Sequence, residues 1–499
     1  MVGKIGLTLA SESWSNIMTS ILNFINGQYI PSISGRTIPN VNPATGEVYG
    51  SIVESNTDDV NLAVKAAEEA FPAWSQTSLN SRFTILNRIA EIISERANEL
   101  ALAESTDNGK PLWLASEVDI PRAASNFQFF ATAIKHFSSE SYYDQPSTLS
   151  YTLRHPIGIV GCISPWNLPL YLFTWKIAPA IAAGNCVIAK PSEITPLTAS
   201  LLGQICNDAG LPPGVLNILH GTGPNVGNAI ISHINIKAIS FTGGTATGRH
   251  IISTAGPMLK KLSLELGGKN AAIIMDDCDY PKMLRETIRS SFANQGQICL
   301  CTSRLLIQDT IYERFKKDFT DAVSNMKVGQ PLESNYRVDQ GAIVSEQHFQ
   351  KIMNSIQIAR NEGGHILTGG KSITLEQPFH NGYYIQPTVI EGLGPDTRTN
   401  QEEIFGPVVT LQPFTTKEEA IELANATEYG LDTVIWSSNS ATIHYLMTHA
   451  QSGIVWVNCW LVRDLRTPFG GVKQSGLGRE GGWEVLRFFT ESKSVTQRF

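Results

Sequence analysis

The stretch that decides the fold reads IGIVGCISPWNLP, from Ile157 to Pro169. Small and apolar residues run unbroken from Ile157 to Ile163 and then meet a polar turn holding two prolines. A near-continuous apolar run is what a strand buried on both faces requires, and proline ends it. Working downstream, the same texture returns at Cys186–Ala189, Val215–Leu219, Ala238–Phe241 and Leu262–Leu266, with helical segments such as Pro196–Ala209 and Thr245–Ala255 between them. This alternation predicts an α/β chain built on a parallel, doubly wound sheet.

A second α/β region is expected from about residue 270 to 460, with strands near Leu305–Gln308, Val408–Phe414 and Ile454–Val457. Upstream, Asp58 to about Ala103 reads as helical. Leu86, Ile89, Ile93, Ala97 and Leu100 recur at spacings of three and four, giving one apolar stripe that Asn108-Gly109 stops. Two polar, β-prone segments, Ser139–Thr152 with its three tyrosines and Ser492–Gln497, are expected to pair as an added sheet. A chain of 499 residues exceeds one hydrophobic core, so two or three domains are expected.

A net charge of −7, with no block of like charges, argues against nucleic acid as a partner. No run of eighteen apolar residues occurs, so no membrane span is expected. The first twenty residues carry one lysine, Glu12 and a short apolar stretch, Ile5–Ala10. They fit neither a secretory leader nor an Arg-rich transit segment and read as a loose extension. Seven scattered cysteines form no C-x-x-C pair, and Cys299 with Cys301 lacks nearby histidines. No metal site is expected, and a reducing compartment, the cytoplasm, is.

Three segments carry chemistry. Cys299 closes FANQGQIC, Phe292–Cys299. A thiol is a strong neutral-pH nucleophile once it has a base or a lowered pKa. Taken alone, it reads more simply as a small buried hydrophobe, although Asn294-Gln295-Gly296-Gln297 is too polar for a core strand. Glu265 ends the apolar strand in LELGGK, Leu264–Lys269, where partial desolvation would raise its pKa towards that of a general base. Its plainer reading is a solvated strand end. Asn167 can aim a side-chain N–H at an oxyanion beyond a strand's carboxyl end, or can simply form the turn.

Two glycine-rich segments compete for a phosphate. Gly221–Gly227 is one residue too long for G-x-G-x-x-G. Phe241–Gly248 joins a strand to a helix, but Arg249-His250 follows where a nucleotide-hydrolysing loop needs Lys-Ser/Thr. A helix N-terminus still suits a pyrophosphate.

PWNLP, LELGG, F-x-N-x-G-Q-x-C, EEIFGP at Glu402–Pro407 and PFGG-x-K-x-S-G-x-G-R-E at Pro468–Glu480, in this order, resemble the aldehyde dehydrogenase superfamily. The resemblance covers the chain from about residue 23 to its end. It implies Cys299 as nucleophile, Glu265 as general base, and Asn167 with the Cys299 backbone N–H as oxyanion hole. It implies a Rossmann-like NAD-binding domain (1–137 and 155–264), an α/β catalytic domain (265–480) and a small β oligomerisation arm (138–154 and 481–499) of a homodimer or homotetramer. Ile163, Trp166, Lys190, Ser192, Glu193, Gly223, Gly227, Phe241, Gly243, Gly244, Leu266, Glu403 and Phe405 would bind the cofactor. Many members carry Ser at the Gly244 position, so one hydroxyl contact is missing here. Glu193 would accept hydrogen bonds from ribose hydroxyls and repel a 2′-phosphate, favouring NAD over NADP.

Arg122 and Arg463 suit an aldehyde that bears a carboxylate. Alternatively, Arg463 pairs with Asp464 and Arg122 caps structure. The segments DIPR…NF and W-L-x-R-D-L-R resemble the branch acting on 2-aminomuconic and 2-hydroxymuconic semialdehydes, the former from tryptophan breakdown. In that branch Arg122 and Arg463 match the carboxylate-binding arginines and Trp175 and Phe469 match pocket walls. A betaine-type or broad-specificity enzyme, which would want no arginines there, and a non-redox cysteine acyltransferase or thioesterase are the competing expectations.

Overall fold

The computed structural model describes residues 19–145, 147–333 and 337–499, so the expected N-terminal extension lies almost wholly outside the described residues. The first sheet carries five parallel strands in the spatial order Lys261–Glu265, Ile236–Thr242, Ile159–Ile163, Cys186–Lys190 and Leu216–Ile218. Ile159–Ile163 and Cys186–Lys190 are buried along their whole length, as their unbroken apolar runs require. Two additions were not foreseen. Gly476–Leu477 pairs antiparallel with Lys261–Glu265, and the hairpin Asn23–Ile25 and Gln28–Ile30 extends the other edge. Strands of two or three residues carry too little alternation to be read.

The expected single helical stretch is instead three helices, Thr57–Ser75, Leu79–Glu95 and Ala97–Asn108. Polar caps cut it. The Asn56 side chain accepts from the Asp58 N–H (2.8 Å), and Ser78 Oγ accepts from the Ser81 N–H (3.1 Å). Leu86, Ile89, Ile93 and Leu100 are fully buried on the stripe that the spacing predicted. Gly109 ends the third helix at φ +84°, where a Cβ would lie 2.8 Å from the Ala342 carbonyl oxygen.

The helix Pro169–Ala182 follows the PWNLP turn and buries all fourteen residues. A helix apolar on all sides belongs inside a core. Among the described residues no helix is long and apolar enough to cross a membrane.

The second sheet orders His365–Thr368, Thr388–Glu391, Val408–Phe414, Thr302–Gln308, Asn270–Ile274, Asp432–Trp436 and Ile454–Val457, parallel except at its first pair. In a third sheet, Thr490–Arg498 pairs antiparallel with Thr148–Pro156, which also pairs with Ser141–Gln145. The two β-prone segments therefore do meet. Glu265 ends a strand of the first sheet and Asn270 begins one of the second. The short link between them, with Gly267-Gly268, runs where the two sheets face each other.

Candidate active site

Cys299 sits in the loop between the helix Tyr280–Phe292 and the strand Thr302–Gln308. The polar residues before it are buried and hold the loop. Asn294 Nδ2 donates to the Asn167 carbonyl (2.9 Å), Gln295 Nε2 to the Ala342 carbonyl (2.9 Å), and Gln297 Oε1 accepts from the Val344 N–H (3.2 Å). These bonds offset a strained backbone in which Asn294, Gln295 and Gly296 have φ of 52°, 58° and 68°. Gly296 is obligatory, since a Cβ there would lie 2.2 Å from the Gly406 carbonyl oxygen. Behind the thiol, Asn270 Nδ2 donates to the carbonyls of both Cys299 (2.6 Å) and Cys301 (3.1 Å).

The Cys299 thiol is partly buried and borders two cavities. The larger, about 130 Å³, is also lined by Glu265, Tyr171, Arg122, Arg463 and Phe469. The smaller is lined by Gly268, Glu403 and Phe405. Cys299 thus lies at the border of both. Burial pushes its pKa well above the ordinary thiol range, and the Glu403 and Glu265 carboxylates add to that.

Glu265 is more deeply buried than a partly desolvated strand end, and both its oxygens lack a hydrogen-bond partner among the described residues. Burial raises its carboxyl well above the usual range. Glu480 reinforces the shift, while Lys176 and Arg479 oppose it. Lys176 and Glu480 are themselves buried and paired at 2.6 Å, with Ser240 Oγ donating to Glu480 at 3.2 Å. A Cβ on Gly470 would come within 2.5 Å of Glu265 Oε1, so this wall has to be bare backbone. A buried carboxyl without partners, beside a thiol in a cavity, has the makings of an acid–base group waiting for water or substrate.

Asn167 reaches towards the nucleophile loop, its Nδ2 donating to the Gln297 carbonyl at 3.0 Å. That leaves one N–H of the amide for another acceptor. Its backbone is clamped from the end of the helix Ala97–Asn108. Asn108 Nδ2 holds the Trp166 carbonyl (2.9 Å), Lys110 Nζ holds the Asn167 carbonyl (3.1 Å), and Glu104 Oε2 accepts from the Leu170 N–H (3.2 Å). Lys110 also pairs with Asp119 and Glu104, all three buried.

On the first sheet, Lys190 Nζ pairs with Glu193 Oε2 at 2.9 Å and lies beside Gly227, where a Cβ would stand 3.9 Å from Lys190 Cδ. Burial is the largest influence on the Glu193 carboxyl and tends to raise it, but the Lys190 charge and hydrogen bond, with backbone hydrogen bonds from Glu193 and Gly223, together outweigh it and the net shift is downwards. Ile163, Phe241 and Leu266 are buried, and Ser192 Oγ accepts from the Ile194 N–H (3.2 Å). Phe241 lies directly under Gly243, while Gly223 and Gly244 face open space. The Gly243 N–H donates to the Glu265 carbonyl (3.0 Å), tying the glycine turn to the carboxylate. Glu403 Oε1 accepts from the Gly268 N–H (2.9 Å), and Phe405 stands edge-on to Trp166 with centroids 5.3 Å apart.

In the lining of the larger cavity the Arg463 guanidinium lies 4.1 Å from the Trp175 centroid and 4.2 Å from that of Phe469. Among the described residues no carboxylate pairs with it, and its Nη2 is buried without a hydrogen-bond partner. Trp175 does not line the cavity as expected; buried to 1%, it backs Arg463 from behind. Arg122 lies in the first turn of the helix Ile120–His136 and also lines the cavity.

The sequence reading missed Lys110, Lys176, Glu480 and His348. His348 packs at a tilt of 59° against Trp166 (centroids 4.9 Å apart), its Nε2 2.7 Å from the Phe405 carbonyl oxygen. A lysine inside the otherwise apolar helix Pro169–Ala182 was the one readable signal. Glu54 was missed too; it accepts from Thr222 Oγ1 (2.7 Å) and from Asn225, fixing the Gly221–Gly227 loop.

The aldehyde dehydrogenase family model matches residues 29–495. A 2-aminomuconic semialdehyde dehydrogenase of Danio rerio is 48% identical over 477 residues, 95% of this chain and 97% of that protein. A 2-hydroxymuconic semialdehyde dehydrogenase of Pseudomonas sp. (strain CF600) is 43% identical, covering 96% of this chain and 99% of that one. The structure of an NAD+ complex of aldehyde dehydrogenase from Bacillus cereus is 35% identical, with a TM-score of 0.94 and 99% of each chain covered.

Proposed function

This chain belongs to the aldehyde dehydrogenase family, and from that premise we propose that it oxidises a carboxylate-bearing semialdehyde with NAD. The first candidate substrate is 2-aminomuconic 6-semialdehyde and the second its 2-hydroxy analogue, after the relatives so named. One observation carries the choice: Arg463, seated on two aromatic rings with a bare buried Nη2, opens into the cavity that holds Cys299. An unpaired guanidinium at one end of a pocket is what a carboxylate needs and what a cationic betaine aldehyde would avoid.

The steps follow from the residues. Cys299 Sγ gives up its proton to the Glu265 carboxylate, which passes it on to solvent, and as thiolate attacks the aldehyde carbon; the carbonyl oxygen becomes an oxyanion facing the free N–H of Asn167 and the Cys299 backbone N–H. When bound, a nicotinamide dinucleotide supplies the two-electron acceptor that takes hydride from that carbon. Glu265 then draws a proton from water, whose oxygen attacks the thioester carbon; the carboxylic acid leaves and the Cys299 sulfur is released. Both Glu265 oxygens are buried without partners, so their hydrogen-bonding capacity is free for that water once it enters.

The cofactor site fits the group. Gly223 and Gly244 leave space at the head of their turns, a helix begins at Thr245, and the Lys190–Glu193 pair offers a donor and an acceptor to ribose hydroxyls. The Glu193 carboxylate favours NAD over its 2′-phosphorylated form. The third sheet exposes Tyr142 and Tyr143 (62% and 69%), and we propose that it meets a second copy of the chain. Free cysteines throughout suit a reducing cytoplasm.

The test is NADH formation by the purified enzyme with 2-aminomuconic and 2-hydroxymuconic 6-semialdehydes, betaine aldehyde and hexanal. A muconic semialdehyde is expected to give the highest kcat/KM, by at least tenfold. Equal efficiency on hexanal would sink the substrate assignment.

A further inference from the structure

The Tyr171 hydroxyl has one hydrogen bond, accepted from Arg463 Nη1, and no acceptor of its own among the described residues. A phenol oxygen can accept and donate at once, so its proton is uncommitted. The ring is buried in the first turns of the helix Pro169–Ala182 and lines the cavity that contains Cys299. Two of the three arginines lining that cavity lie against it, Arg122 Cζ at 5.8 Å and Arg463 Cζ at 5.7 Å from its centroid. Tyr171 therefore packs against both guanidinia, with its O–H bonded to the Arg463 group whose Nη2 has no partner among the described residues.

We propose that Tyr171 is a third donor to the substrate carboxylate, completing a receptor in which its O–H acts with Arg463 and Arg122. The proposal deepens the assignment of a carboxylate-bearing aldehyde and rests on it. Three points support a donor role over plain packing. The Arg463 bond polarises the phenol, because donation into the oxygen strengthens the O–H as a donor. The backbone is pinned, since Asn126 Nδ2 donates to the Tyr171 carbonyl (3.0 Å). Lastly, Asn167, Tyr171 and Trp175 follow at intervals of four along one segment. That segment would carry the oxyanion amide, the phenol donor and the floor under Arg463, so the pinned turn and the helix that follows it would together set the distance between the reacting carbonyl and the acid group. Selection for chain length follows from that spacing.

The test uses the full chain with NAD and three variants, Tyr171→Phe, Arg463→Met and both together. The readout is kcat/KM for 2-hydroxymuconic 6-semialdehyde divided by kcat/KM for hexanal. Losing a hydrogen bond to a charged group lowers this ratio about 10- to 100-fold in Tyr171→Phe, mostly through KM. The inhibition constant of adipate, a dicarboxylate that is not turned over, is expected to rise by a similar factor. Phenylalanine keeps the ring, and an unchanged melting temperature separates lost donation from lost packing. The ratio is also expected to fall further when Tyr171→Phe is added to Arg463→Met. If Tyr171→Phe matters only while Arg463 is present, the phenol merely holds the arginine and the donor role is overturned. If Arg463→Met collapses the ratio and Tyr171→Phe does not, the donor fails while the carboxylate assignment survives. If neither variant moves it, the carboxylate assignment itself fails.

Discussion

Arg466 and Asp464 form a closed pair: Arg466 Nη2 lies 2.6 Å from Asp464 Oδ2, and Arg466 Nε lies 2.9 Å from Oδ1. Both side chains are exposed, so solvent screens the pair and it adds little to stability. Its consequence lies next door. The acid adjacent to Arg463 is taken, so Arg463 turns to the aromatic rings and the cavity without a counter-ion.

Arg463→Met keeps much of the packing against Trp175 and Phe469 but removes the charge. The ratio of kcat/KM for a muconic semialdehyde to that for hexanal is expected to fall about 100-fold, the scale of a lost charge-assisted contact. Steady-state NADH formation measures it. Equal losses on both aldehydes would mean that Arg463 shapes the site without reading the acid.

The pH dependence of turnover is set in part by Glu480. A general base works once deprotonated, so activity climbs as pH passes upward through the raised pKa of Glu265. Glu480→Gln removes the negative neighbour that helps hold that pKa up and leaves Lys176 unpaired beside it; both changes favour the ionised carboxylate. The acidic limb of the kcat profile is therefore expected to move to lower pH. A limb that stays put or moves up would contradict this electrostatic coupling.

Coenzyme choice turns on Glu193. A 2′-phosphate beside its carboxylate would meet both like charge and the loss of the ribose hydroxyl contact. Glu193→Ser removes the charge and frees the Lys190 ammonium, now paired at 2.9 Å, for an anion. Efficiency with NADP is expected to rise about tenfold and that with NAD to fall. An unchanged NADP/NAD ratio from steady-state titrations of both coenzymes would rule the residue out as the discriminator.

How far the sequence speaks depends on whether a residue acts locally or through partners. Ile159–Ile163 and Cys186–Lys190 could be read because burial on both faces demands an unbroken apolar run. Cys299, Glu265 and Asn167 could be picked out because each sits in a polar or glycine-rich break beside such a run. Arg463 could not be resolved, since Asp464 is adjacent in sequence and only the fold hands that acid to Arg466. Lys110 and Glu480 act from 57 and 304 positions away from the residues they hold, Asn167 and Lys176, a separation no local pattern records. The strand Asp432–Trp436 was overlooked for a related reason: it opens on an acid that apolar periodicity would place in a loop.

That acid, Asp432, gives the last prediction. It is 3% exposed, and neither side-chain oxygen has a hydrogen-bond partner among the described residues. Burial alone pushes its pKa well above the ordinary carboxylate range. The folded protein thus keeps the proton, while the unfolded chain releases it once pH exceeds about 4. The unfolded state then binds fewer protons than the folded one, so this group's contribution to stability falls as pH rises from there towards the folded-state pKa. Asp432→Asn preserves the shape and cannot ionise. Relative to the natural chain it is expected to gain stability with rising pH, by up to about 1.4 kcal/mol per pH unit within that window. Urea unfolding of both proteins at pH 5, 6, 7 and 8 measures the difference. A gap that stays constant across the series would mean that Asp432 ionises as easily in the fold as out of it, and that its carboxylate has found water or an ion.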